Sequence, residues 1–386
     1  MSLIVRVAAR GDGVAEDGRH AAFAAPGDTL TDAGEVIPGP HHQPPPCRHF
    51  PQCGGCQLQH LDDVSYAAFV ADRIATALDA QGLAATVRPT MLSPPRTRRR
   101  ATLHADRGLV GFTEEKSHRI VDMRECHVLA PDLFALVAPL RALLGRLKVR
   151  GRAELHLTLA DQGPDLLVKA KLPDGLATAE ALTAFAQANG LARLAVDDGF
   201  GPETRWEPQP VTITLGGRPV PLPHAAFLQA TAEGEAALVG AVREATAGTA
   251  AVADLFAGLG TFALGLSARV YAAEGARDAL AALKIAGAGR PLFTEHRDLF
   301  RRPLTPAELD RFDAIVLDPP RAGAREQVAQ LAASKSARLA YVSCNPASFA
   351  RDAKTLADGG WRLDWVQPVG QFRWSTHVEL AAAFSR

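Results

Sequence analysis

Cys47, Cys53 and Cys56 crowd into the stretch PCRHFPQCGGCQLQH, with five residues between the first pair and two between the second. Cys126, in RECHVL, is the remaining candidate for a fourth member of the set. Four thiolates satisfy either a tetrahedral zinc ion or an iron–sulfur cluster, and the spacing alone leaves both open. The fifth cysteine, Cys344, stands far from the others at the end of an apolar run, in RLAYVSCNPASF. Its chemistry would be nucleophilic, which requires the thiolate. Pro346 suits the first turn of a helix, and a helix N-terminus beside Cys344 is expected to favour that thiolate. Asp318, in IVLDPPRAG, adds a carboxylate to this set.

The elements that position these residues follow from the pattern beyond about residue 224. The apolar runs AVADLFAGLG, RVYAAEG, PLFTEHRD, FDAIVLDPP and RLAYVSCNP alternate with helical stretches, and two strand-like pieces, WRLDWVQPVGQF and HVELAAAFSR, close the chain. Such alternation specifies a parallel, doubly wound α/β sheet. Seven strands with the last pair adjacent in sequence is the architecture of a class I, Rossmann-like methyltransferase domain. Ligands in such sheets collect at the carboxyl ends of the strands. Asp254 is therefore expected at a strand end, with Gly258 and Gly260 in a turn into a helix. Gly258, Gly260 and Ala263 also satisfy the dinucleotide fingerprint, so nicotinamide chemistry is the competing reading. Glu274, at the end of the next strand, would bind ribose hydroxyls under either reading. The acid–Pro–Pro of Asp318, Pro319 and Pro320 favours methyl transfer, because hydride transfer has no use for two prolines there. Arg321 occupies the position where amine methyltransferases carry a stacking aromatic, which argues against an exocyclic amine as target.

Composition bounds the rest. Lys plus Arg and Asp plus Glu both number 42, so no global charge advertises a polyanionic partner. Local stretches could still do so, and PPRTRRRATLH carries Arg96, Arg98, Arg99 and Arg100. The longest apolar stretch, LFALVAPLRALLGRLK, is interrupted by Pro139, Arg141 and Arg146, which predicts no membrane span. The N-terminus lacks the apolar run of a signal peptide, so a cytoplasmic location is expected. Residues 1–43 read as short β segments ending in a stiff proline-rich linker, IPGPHHQPPP. Residues 44–223 read as a central α+β domain carrying the cysteine site, and 224–386 as the catalytic domain. The helix expected over about 63–82 is the one part of the central segment that could pack on the catalytic domain.

The runs SCNPASFARD, DPPRAG and THVE together resemble the RNA 5-methyluridine methyltransferase family, and CGGCQLQH resembles its iron–sulfur-containing, ribosomal-RNA type members. The resemblance spans nearly the whole chain. It implies transfer of a methyl group from S-adenosylmethionine to carbon 5 of a uridine in RNA, ribosomal RNA before transfer RNA, by a chain acting as a monomer. It assigns Cys344 as the nucleophile adding to carbon 6 and Glu379 as the base. Around the S-adenosylmethionine pocket it places Gln229, Phe256, Thr261, Glu274, Asp298 and Asp318. Phe227 and Gln229, in HAAFLQAT, match a Phe-x-Gln segment that touches cofactor and target base. It also tips the choice for Cys47, Cys53, Cys56 and Cys126 from zinc to a [4Fe–4S] cluster, and likens the N-terminal β segment to the small RNA-binding barrel called TRAM. Arg373 and Ser375 depart from the family pattern, which commonly shows proline and threonine there.

Overall fold

The computed structural model describes all 386 residues. Residues 2–37 form a five-stranded antiparallel sheet around a small core of Ile4, Ala15, Ala21, Ala24 and Leu30. The proline-rich segment that follows is not a free linker. His42 Nδ1 lies 2.8 Å from Asp28 Oδ2, His41 Nδ1 lies 2.9 Å from Asp62 Oδ2, and Gln43 Nε2 donates to the Gln59 carbonyl at 2.9 Å. Polar side chains between the prolines thus pin a stretch whose composition suggested only stiffness.

The sheet of the catalytic region runs in the order Leu292–His296, Arg269–Glu274, Ala251–Leu255, Ala314–Leu317, Arg338–Ser343, Glu379–Ser385, Arg362–Gly370. Its first five members are parallel, and Glu379–Ser385 is antiparallel to both neighbours. This is the class I methyltransferase order. Near-continuous apolar runs such as AIVL suit these strands because both sheet faces are covered. The order reverses at Ala251–Leu255, which opens a crevice at its carboxyl end.

The segments 63–92 and 211–222 belong to this sheet and its core rather than to a separate central unit. Asp62 caps helix Asp63–Asp79 by accepting the Ser65 N–H. Its apolar stripe of Tyr66, Phe69, Val70, Ile74 and Leu78 joins Leu339, Phe349 and Leu356 in one core. Thr86–Val87 and Met91–Leu92 then pair in parallel with Arg362–Gly370. The hairpin Thr212–Leu215 and Arg218–Pro221 contributes Ile213, Leu215 and Val220 to the core on the other face. What remains between is a six-stranded sheet of residues 100–206, covered by helices Pro131–Ala135, Val137–Arg146 and Leu176–Ala188 over its own core. Apolar stripes read from sequence do not say which neighbour they cover, and here two of them cross the boundary expected at 224.

Candidate active site and cysteine site

The turn after Ala251–Leu255 departs from expectation. A long helix does not follow the glycines; only a short 3-10 turn, Ala263–Gly265, forms before the chain re-enters the sheet at Arg269. The interval is short and holds Gly265 and Ser267, both poor helix formers. A helix N-terminus of the kind that binds a dinucleotide pyrophosphate is therefore missing, which removes the nicotinamide reading. Phe256 adopts φ +65°, an uncommon conformation for an aromatic residue. Gly260 has φ +92°, and a Cβ there would collide with the Leu283 side chain. Glu274 locks the turn: its two carboxylate oxygens accept the N–H of Gly258 at 2.9 Å and of Ala276 at 2.6 Å.

This turn forms one wall of a cleft of about 1400 Å³. Phe256, Thr261, Glu274 and Asp298 line that wall, with Phe300 beside Phe256 at a ring-centroid distance of 5.4 Å. Asp318, Pro319, Arg321, Cys344, His377 and Glu379 line the opposite side. The register explains why Cys344 and Glu379 are neighbours. Ser343 pairs with Leu380 in the antiparallel ladder, so the next pair along is Cys344 opposite Glu379. Asn345 caps helix Pro346–Asp358 and donates through Nδ2 to the Arg321 carbonyl at 3.0 Å, clipping the cysteine turn to the Asp318 loop. Arg321 in turn lies 3.1 Å from His377 Nδ1.

Crowded acids dominate the electrostatics. Burial pushes Glu379 up to about 8, with Asp318 adding to the shift. Burial, with Glu274 second, raises Asp318 to about 7. Cys344 is pushed up to about 11, first by burial and then by Glu379 and Asp318. The expected thiolate-favouring effect of the following helix is thus outweighed by burial and the two acids. Such a pocket favours a cationic ligand, whose charge would stabilise both carboxylates and thiolate.

Not every expected residue reaches the cleft. Gln229 is 2% exposed and lies behind the wall. Its Oε1 accepts from Gln371 Nε2 at 2.7 Å, and the same nitrogen donates to Glu379 Oε2 at 2.9 Å. Gln371 carried no sequence signal except its place at the mouth of the strand turn that leads to Glu379. The basic run also divides. Arg99 is buried, bonded to Glu235 at 2.5 Å and to the Gln229 carbonyl, so it is structural. Arg98 and Arg100 line the cleft, and Arg100 sits 4.9 Å from the centre of the Phe227 ring, which is 67% exposed. In the extended chain leading into strand Arg100–Asp106, neighbouring arginines thus point to opposite sides.

Cys47, Cys53, Cys56 and Cys126 are all free thiols and surround one small cavity, together with His49, Phe112, Met123 and Val128. They surround it rather than meet, and no three His, Cys, Asp or Glu side chains of the chain converge closely enough for a single ion. The Trp374 indole packs with Cys56, Val128 and Cys126, and its buried N–H finds no acceptor. Four thiols around one cavity, with an unpartnered donor beside them, fit a sulfur-rich group. The loop bearing Trp374 is also tied down here, since its carbonyl accepts the N–H of both Gln57 and Leu58 at 2.8 Å.

Comparison with known proteins bears on the family and the fold. The family model described as tRNA (Uracil-5-)-methyltransferase matches residues 292–386. An uncharacterized RNA methyltransferase of Zymomonas mobilis is 52% identical across 100% of both chains. The 23S rRNA (uracil(1939)-C(5))-methyltransferase RlmD of Edwardsiella ictaluri is 32% identical, over 89% of this chain and 82% of its own. The crystal structure of Pyrococcus abyssi tRNA (uracil-54, C5)-methyltransferase with S-adenosyl-L-homocysteine superposes with a TM-score of 0.78 at 22% identity, covering 99% of this chain and 98% of that one, and so shares the fold. With that sequence identity and coverage, the chain belongs to the family of S-adenosylmethionine-dependent RNA uracil-C5 methyltransferases.

Proposed function

We propose that this enzyme methylates carbon 5 of a uridine in 23S rRNA through a covalent adduct on Cys344. The observation that carries the mechanism is the strand register that sets Cys344 opposite Glu379 at the edge of the cleft. Carbon 5 of uracil is too weak a nucleophile to take a methyl group unaided. Its proton given up to water, the Cys344 thiolate adds to carbon 6, and the C5=C6 electron pair moves into an enolate that is nucleophilic at carbon 5. S-adenosylmethionine, when bound, supplies an electrophilic methyl and a positive charge. Glu379 then removes the proton from carbon 5, the double bond re-forms, and the C6–S bond breaks to release the thiolate. Phe256, Thr261, Glu274, Asp298 and Asp318 would hold the methyl donor; Arg98, Arg100 and Phe227 would meet the RNA at the rim. A uridine stacked in a helix hides carbon 6, so the target must be single-stranded or flipped.

The 23S assignment is supported by the RlmD relative, whereas the solved transfer-RNA enzyme, at 22% identity, bears on the fold alone. The N-terminal five-stranded sheet is read as a TRAM-like RNA-binding unit. Incubation with tritiated methyl donor and unmodified transcripts tests the substrate: label should appear as 5-methyluridine in 23S rRNA and not in transfer RNA. Label confined to transfer RNA would overturn the ribosomal assignment.

Cys47, Cys53, Cys56 and Cys126 would hold a [4Fe–4S] cluster whose task is structural, because four thiolates leave it no open position. Anaerobically purified protein is expected to be brown and to contain about four irons per chain. One equivalent of zinc without iron would instead make the site a zinc site.

A further inference from the structure

Gln371 follows strand Arg362–Gly370 and opens the loop that leads to Glu379. It is 2% exposed, and every polar atom of its amide is engaged. The backbone N–H of Ala230 donates to its Oε1 at 2.8 Å. A backbone N–H can only donate, so this contact fixes which end of the amide is oxygen. The NH2 group must therefore face the other way, toward Gln229 Oε1 at 2.7 Å and Glu379 Oε2 at 2.9 Å. Glu379 makes its one protein side-chain hydrogen bond here, leaving Oε1 for the cleft. The fold also makes room for this amide. A Cβ on Gly234, at the start of helix Ala232–Ala245, would stand 2.6 Å from Gln371 Cβ and 2.9 Å from its Oε1.

We propose that Gln371 is a positioning residue for the base, holding Glu379 Oε2 in place so that Oε1 meets the proton on carbon 5. This rests on the reading of Glu379 as that base. Its donated hydrogen bond also stabilises the ionised carboxylate against the burial that opposes it. Gln229, on the far side of the amide, orients it in turn. A change at Gln371 thus acts on proton removal and not on methyl-donor binding.

The test uses the full-length enzyme with its RNA substrate. Gln371→Met keeps the length of the side chain and deletes the amide; Gly234→Ala displaces the same amide without altering it. Both should lower kcat roughly 10–100-fold, the scale of a small misplacement of a catalytic group, with KM for RNA and affinity for S-adenosylhomocysteine little changed. The ascending limb of kcat against pH should move to higher pH, and denaturing gels should show the RNA–enzyme adduct accumulating during turnover. Gln371→Asn, which keeps the amide on a shorter arm, should fall between, and it carries the test if the methionine variant does not fold. Wild-type enzyme with 5-fluorouridine RNA separates the two hypotheses, since fluorine at carbon 5 blocks proton removal and should trap the adduct. No adduct from wild type would refute the covalent reading itself. A wild-type adduct together with an unmoved pH profile in the folded variants would refute the role of Gln371 alone.

Discussion

Cys344→Ala is expected to abolish methyl transfer, lowering turnover by roughly 10⁴-fold or more, as loss of an essential nucleophile does. S-adenosylhomocysteine affinity should stay within about twofold, because the residues proposed to hold the donor do not include Cys344, and removing one sulfur takes away little of the contact energy. The substitution should also fold normally. Cys344 is only partly buried and pairs with no other cysteine, so alanine opens little new cavity. Release of tritium from RNA labelled at carbon 5 of uridine reads the chemistry directly, since that hydrogen leaves only after the adduct has formed. Tritium release at the wild-type rate from the alanine variant would exclude the covalent route.

Glu379→Gln separates the second half of the reaction from the first. With no base to take the proton at carbon 5, methylated RNA should remain bonded to Cys344 and turnover should fall about 10²–10⁴-fold. A band resistant to denaturation, containing both RNA and protein, is the expected result; free methylated product at the wild-type rate would remove Glu379 from the mechanism. The same variant should be more stable than wild type at alkaline pH. Folding raises the Glu379 carboxyl to about 8, above its ordinary 4.5, so the folded chain holds a proton that the unfolded chain has lost. Stability is therefore fully present below about pH 4.5 and declines as pH rises to 8. The penalty above that approaches about 5 kcal/mol if the whole shift is realised. Glutamine, neutral throughout and still able to accept from Gln371, escapes it. Thermal melts at pH 9 should favour the variant by several degrees, and the gain should vanish near pH 4. In wild type, turnover should climb as pH approaches 8, because the base must be ionised.

The sequence by itself determined the reactive residue types and the sheet that carries them. Alternating apolar runs read as a doubly wound sheet because strands covered on both faces need little else, and the sheet appears in that order. Strand ends and turn chemistry are local, so Glu274, Asp318 and Cys344 could be assigned to one edge from the sequence, and Pro346 marks a helix start that forms as expected. Tertiary structure decided what depends on residues far apart in the chain. The antiparallel register of the last strand, set by ladder pairing across 36 intervening positions, brings Glu379 to Cys344. Packing took helix Asp63–Asp79 into the catalytic core and left the first glycine turn without its long helix. It split the arginine run, turning Arg99 inward to Glu235 while Arg98 and Arg100 face the cleft. It also drew Gln229 behind the wall and interposed Gln371. A hydrogen bond between side chains 142 positions apart leaves no periodicity in a sequence; it exists only once the elements carrying its two ends have packed together.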